Sequence, residues 1–141
     1  MNLVMKYMFS IVCALLMTCT LSAQEAKSVP EDLKSLLKFE QKTIDLGKVK
    51  KGEKREATFE YTNISDQPVE IEFISVCECT EYDHTSLPVA PGEKGTIDIV
   101  FDSSSKDKSD KITLDILLTN VEPDTGYQIV EQCHYTFELV E

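Results

Sequence analysis

The stretch Phe73-Ile74-Ser75-Val76-Cys77-Glu78-Cys79-Thr80, followed by Pro91-Gly92-Glu93, carries the clearest structural signal in the chain. A strand-like run ends in two cysteines one residue apart, and a Pro-Gly turn then launches another strand. The same alternation recurs on both sides of it. Upstream, Ala57, Phe59 and Tyr61 alternate with Thr58, Glu60 and Thr62, and Val69, Ile71 and Phe73 alternate with Glu70 and Glu72. Further upstream, Phe39 and then Ile44, Leu46 and Val49 mark a first strand bent at Gly47. Downstream, Ile97, Ile99 and Phe101 share one parity, as do Ile112, Leu114, Ile116 and Leu118. Ile129, Cys133, Tyr135, Phe137 and Leu139 do the same in a final run. A period of two is the signature of a strand with one apolar face. Turn signals separate the runs at Asp66-Gln67-Pro68, Pro91-Gly92 and Pro123-Asp124-Thr125-Gly126, and a polar stretch from Ser103 to Asp110 reads as a hairpin tip or crossover. The pattern predicts an all-β chain of about seven short strands, folded as a Greek-key sandwich of two antiparallel sheets roughly 10 Å apart.

The start of the chain reads as an address. Lys6 precedes an apolar run from Tyr7 to Met17, and Leu21-Ser22-Ala23 supplies small residues for cleavage. These are the parts of a secretory signal, and the run is well short of the roughly 20 residues that span a bilayer. The expected division is a signal peptide at 1–23, a polar tether at 24–36 and a β-sandwich domain at 37–141, with no transmembrane segment after cleavage. A rival reading is a lipid anchor at Cys19, because Leu16-Met17-Thr18-Cys19 loosely resembles a bacterial lipobox. Either way the expected location is exported, periplasmic or outer-membrane associated. With 14 Lys+Arg against 25 Asp+Glu, the chain carries a formal charge of −11. Such a surface repels phosphate backbones, so no nucleic-acid partner is expected.

Several of these segments, taken in order, resemble the domain-of-unknown-function family 1573 of exported bacterial proteins, which is related to the ASH and MSP-type immunoglobulin-like domains. Ile44-Asp45-Leu46-Gly47-Lys48-Val49 with Gly52 is similar to the family's opening. Phe59-Glu60-Tyr61-Thr62-Asn63 and Pro68-Val69-Glu70-Ile71 are similar to its "F-x-F-x-N … P-L-x-I". Cys77-Glu78-Cys79-Thr80 resembles its "C-G-C-T", with Glu78 standing where the family has glycine. Pro91-Gly92-Glu93-Lys94-Gly95, running on to Ile97, Ile99, Phe101 and Asp102, resembles its "P-G-E-x-G" strand. The resemblance covers about Phe39 to Asn120. It implies an immunoglobulin-like sandwich and an exported life, and it brings no assigned catalytic residue.

Chemistry has few places to reside. In an extended strand Cys77 and Cys79 lie on one face about 6.6 Å apart along the chain, so a bond between them requires a bend. Parity places Cys133 in the core as a buried small hydrophobe, too far from the pair to bridge it. Cys77, Cys79 and His84, with Cys133-His134, have ligand-like chemistry, but C-x-C-x4-H is not a standard zinc spacing. Glu78, Glu81 and Asp83 would raise the thiol pKa values and work against redox reactivity. There is no G-x-S-x-G, H-E-x-x-H or P-loop, the two histidines support no triad, and no cofactor is expected. The reading is therefore a non-catalytic module that binds another protein or an envelope component. Cys77, Cys79, Tyr82 and His84 are the candidate binding residues, on a loop running from Tyr82 to Leu87. The alternative is a thiol- or metal-dependent envelope protein that uses Cys77 and Cys79.

Overall fold

The computed structural model describes residues 35–141; the expected leader, Cys19 and most of the tether lie outside the described residues. Eight strands follow in order: β1 (Leu37–Phe39), β2 (Thr43–Lys50), β3 (Lys54–Asn63), β4 (Ile71–Ser75), β5 (Thr80–His84), β6 (Lys94–Asp102), β7 (Asp110–Val121) and β8 (Gln128–Val140). They form two four-stranded sheets, ordered β1-β3-β6-β5 and β2-β8-β7-β4. The expected first strand is two elements, because the chain leaves one sheet after Phe39 and enters the other at Thr43. The second of these, β2, runs parallel to β8, so this sheet is mixed where an antiparallel one was expected. Gly47 adopts φ 70° at the register shift in β2, and its N–H donates to Asp45 Oδ1 at 2.8 Å, which fixes the bend.

The apolar faces meet as the alternation requires. Phe59, Tyr61, Ile97, Ile99 and Phe101 from one sheet pack on Leu114, Ile116, Leu118, Cys133, Tyr135 and Phe137 from the other. One expected core residue is displaced. A bulge between Ile71 and Phe73 shifts the parity of β4, so Ile74 turns inward and Phe73 is 53 % exposed.

Two buried polar side chains stitch the loops to this core. Asn63 donates through Nδ2 to the carbonyls of Gln67 and Val89, both at 2.8 Å, and its Oδ1 accepts from Ser65 N and Oγ. The amide thus ties the turn that leads into β4 to Val89, in the segment before β6. The Ser103 to Asp110 stretch carries the chain between sheets and begins with a 3₁₀ turn at Ser103–Ser105. Ser103 is buried and donates from Oγ to the carbonyls of Lys50 and Glu53 at 2.7 and 2.9 Å, tying this crossover to the β2–β3 turn.

Glu131 occupies an inward position of β8 beside Cys133 and is buried. Its carboxylate accepts from Ser35 Oγ and from the backbone N–H groups of Leu36 and Leu37, the last two at 2.6 and 3.2 Å. It thereby holds the start of β1 against the opposite sheet. Replacing Glu131 by alanine strands those donors in a dry site and is expected to cost about 2 kcal/mol. Chemical denaturation should show that loss together with faster amide exchange at Leu36 and Leu37; unchanged exchange there would refute the clamp.

Candidate functional site

The most chemically distinctive place is the turn between β4 and β5, where the chain passes from one sheet to the other. The bend that the spacing demands is present. Thr80 N–H donates to Cys77 C=O at 3.0 Å, closing a turn that brings the Cys77 and Cys79 Cα atoms to 5.2 Å, and the two sulfurs form a disulfide. Asp102 N–H donates to Cys79 C=O at 2.8 Å, so the turn is also fastened to the end of β6. Thr80 and Tyr135 lie beneath the bridge. Thr80 Oγ1 is 3.3 Å from Cys77 Sγ, 3.7 Å from Cys79 Sγ and 2.6 Å from the Tyr135 hydroxyl, which is itself 3.9 Å from Cys79 Sγ. Burial pushes the Tyr135 phenol up to about 12, so it remains a hydrogen-bond donor at any ordinary pH. The carboxylates of Glu78, Glu81 and Asp102 border a shallow depression beside Cys79.

The remaining candidates are not gathered around the sulfurs. Cys133 is free and fully buried, and burial raises its thiol to about 12, which makes it inert. His134 is half-buried on the outer side of β8, its pKa lowered by burial and next by Lys111. Tyr82 and His84 lie in β5, which corrects the expected loop position: Thr80–His84 pairs antiparallel with β6 as the outermost strand of its sheet. The two rings stack at 6.4 Å, and only beyond them does an irregular segment begin, with Leu87 73 % exposed. Among the described residues, no group of three or more His, Cys, Asp or Glu is placed to hold a metal ion.

Two surfaces escaped the sequence reading. On the outside of the β1-β3-β6-β5 sheet, Glu56, Glu60, Glu81, Asp83 and Asp98 stand on neighbouring strands, with Asp83 directly opposite Asp98. On the outside of the other sheet, cross-strand register aligns Phe73, Leu117 and Val130, the first and last of them more than half exposed. The acids were visible as alternating charges; the apolar row depends on the bulge in β4.

Two four-stranded sheets packed through apolar faces, with a disulfide-braced turn where the chain changes sheets, define an immunoglobulin-like β-sandwich module. Residues 37–130 match the family described as "Protein of unknown function (DUF1573)", and the chain belongs to that family. No curated protein matches the sequence. Among solved structures, a Porphyromonas gingivalis W83 protein of unknown function is similar with a TM-score of 0.59 at 16 % identity, over 74 % of this chain and 46 % of that one. The human CEP192 ASH/PapD-like domain 7 is similar with a TM-score of 0.58 at 11 % identity, over 82 % of this chain and 96 % of that domain. The Vibrio cholerae VesB protease is similar with a TM-score of 0.58 at 14 % identity, over 74 % of this chain and 32 % of the protease. The chain thus spans less than half of the P. gingivalis protein and about a third of the protease. At these identities the likenesses establish the sandwich fold alone.

Proposed function

We propose that this protein is an exported, non-catalytic immunoglobulin-like module of the periplasm or outer membrane, which binds another protein or an envelope component along the free edge of β5. The observation that carries the reading is the position of that strand. Its one strand partner among the described residues is β6, so its other edge is open to strand addition. Cys79 C=O and Thr85 N–H bond toward β6. By the alternation of an antiparallel ladder, Glu81 and Asp83 do the same, which turns the backbone of Tyr82 and His84 toward the open side, where Asp83 Oδ1 accepts from His84 N–H at 2.9 Å and the Tyr82 N–H faces outward. The carboxylates of Glu81 and Asp83 flank that edge and favour a partner segment bearing lysine or arginine.

The test is cross-linking in envelope fractions, comparing the wild-type chain with Tyr82→Pro. Proline at this position removes an outward N–H without removing a β5–β6 bond. A defined cross-linked partner is expected for the wild type, with its yield reduced at least tenfold in the variant. An unchanged yield, or no defined partner, would refute the edge-binding reading. Intact mass of the recovered protein reports the address: a chain beginning at Gln24 or one carrying lipid on Cys19 supports export, and a retained leader contradicts it.

A further inference from the structure

We propose that the Cys77–Cys79 bridge is a reducible disulfide that exchanges with a partner dithiol, with Cys77 as the sulfur attacked and Cys79 as the leaving group. Three observations converge on this. The first is what the bridge spans. It joins residues two apart in sequence, within a turn already closed by the Thr80–Cys77 and Asp102–Cys79 backbone bonds. A loop this short removes little freedom from the unfolded chain, so the bridge contributes far less to stability than one joining distant strands would. The folded domain has the means to survive its opening.

The second observation is access. Cys77 is half-buried at the surface of the turn, whereas Cys79 is only 8 % exposed. An incoming thiolate meets Cys77 first. The third is the pair of hydroxyls underneath. Thr80 and Tyr135 share one hydrogen between oxygens 2.6 Å apart, which leaves a second hydrogen for the sulfurs. A disulfide sulfur is a weak acceptor and a thiolate is a strong one. Thr80 Oγ1 lies between the two sulfurs, 3.3 Å from Cys77 and 3.7 Å from Cys79, whereas the Tyr135 hydroxyl reaches Cys79 alone at 3.9 Å, so the pair together stabilises a Cys79 thiolate more than the bridged sulfur. The bordering carboxylates of Glu78, Glu81 and Asp102 oppose that charge, but they stand at the solvent-facing side of the turn, where water screens them.

The exchange balances without any further reagent. A thiolate of the partner dithiol attacks Cys77 Sγ, a mixed disulfide forms, and the Cys77–Cys79 bond breaks with its electron pair going to Cys79, which then takes up a proton. The partner's second thiolate attacks its own sulfur in the mixed disulfide and releases Cys77, which is protonated in turn. Two electrons and two protons pass from the partner to this chain, and the partner leaves as a disulfide.

The experiment equilibrates the folded full chain with graded ratios of reduced to oxidised dithiothreitol, quenches by alkylation, and maps Cys77, Cys79 and Cys133 by peptide mass spectrometry. The bridge is expected to open without denaturant, with the β circular-dichroism signal retained and Cys133 unlabelled. Under excess reduced dithiothreitol, with alkylation at timed intervals, Tyr135→Phe and Thr80→Val should each slow opening at least fivefold. Tyr135→Phe preserves the ring, so it remains informative if Thr80→Val perturbs folding. With glutathione in place of dithiothreitol, the mixed disulfide should accumulate on Cys77. A bridge that opens only on unfolding, an opening rate unmoved in Tyr135→Phe, or glutathione attached to Cys79 would each overturn the proposal.

Discussion

Replacing Gly95 by valine is expected to destabilise the domain by about 3 kcal/mol and to lower Tm by roughly 12 °C or more. Gly95 faces the core from β6, directly across from Tyr61 on β3. The Tyr61 ring lies so close over its Cα that any β-carbon would collide with Cζ, Cε2 and the hydroxyl. A ring at the surface would swing away, but Tyr61 is buried and packs against Phe39 with ring centroids 5.9 Å apart. Of the two glycines in the Pro91–Gly95 turn-and-strand motif, Gly92 serves a left-handed turn at φ 79°, whereas Gly95 is explained by packing. Thermal unfolding of Gly95→Val checks the magnitude. A double-mutant cycle checks the cause: Gly95→Ala should be clearly destabilising beside Tyr61 and nearly neutral in a Tyr61→Leu background. Equal effects in both backgrounds would refute the steric account.

The second large effect is alkaline lability. Cys133 is raised from 9.0 to about 12 and Tyr135 from 10.0 to about 12, in both cases chiefly by burial, and burial also raises Tyr61. Each is neutral when protonated, and the folded state holds its proton more tightly than the unfolded chain does. As pH climbs past 9, the unfolded chain releases the Cys133 proton while the folded state retains it, so stability falls. One such group costs about 1.4 kcal/mol for every pH unit between its unfolded and folded values. The decline is expected to begin above pH 9 and to steepen above pH 10, where the tyrosines join it. Urea unfolding between pH 7 and 11 should show this two-stage fall, and Cys133→Val should flatten the first stage while leaving the second. A stability profile level up to pH 11 would contradict the burial argument.

The sandwich, its core parity and the inert role of Cys133 were legible from alternation, because strands with one wet face write their burial into the sequence with a period of two. What was missed shares another physical origin. Thr80–His84 has no apolar alternation, since an edge strand needs little apolar surface: Thr80 is buried through a hydrogen-bonded hydroxyl, and Tyr82 and His84 are half-buried. Phe73 shares the apolar parity of Val69 and Ile71, and the bulge that turns it outward leaves no mark in local composition. Glu131 breaks the apolar parity of its strand, and an acid on a buried face is itself a sign of waiting donors. The parallel pairing of β2 with β8 lay beyond reach, because nothing local records the direction of a distant neighbour.

That pairing has a mechanical consequence. The first long strand and the last lie side by side and point the same way, with Thr43 beside His134 and Lys50 beside Val140. Tension applied between the chain entering β2 and the chain leaving β8 drags the two strands past each other lengthwise. The rungs between them then share the load together, where an end-to-end zipper would surrender them singly. The domain is built as a clasp that resists being stretched along its own axis.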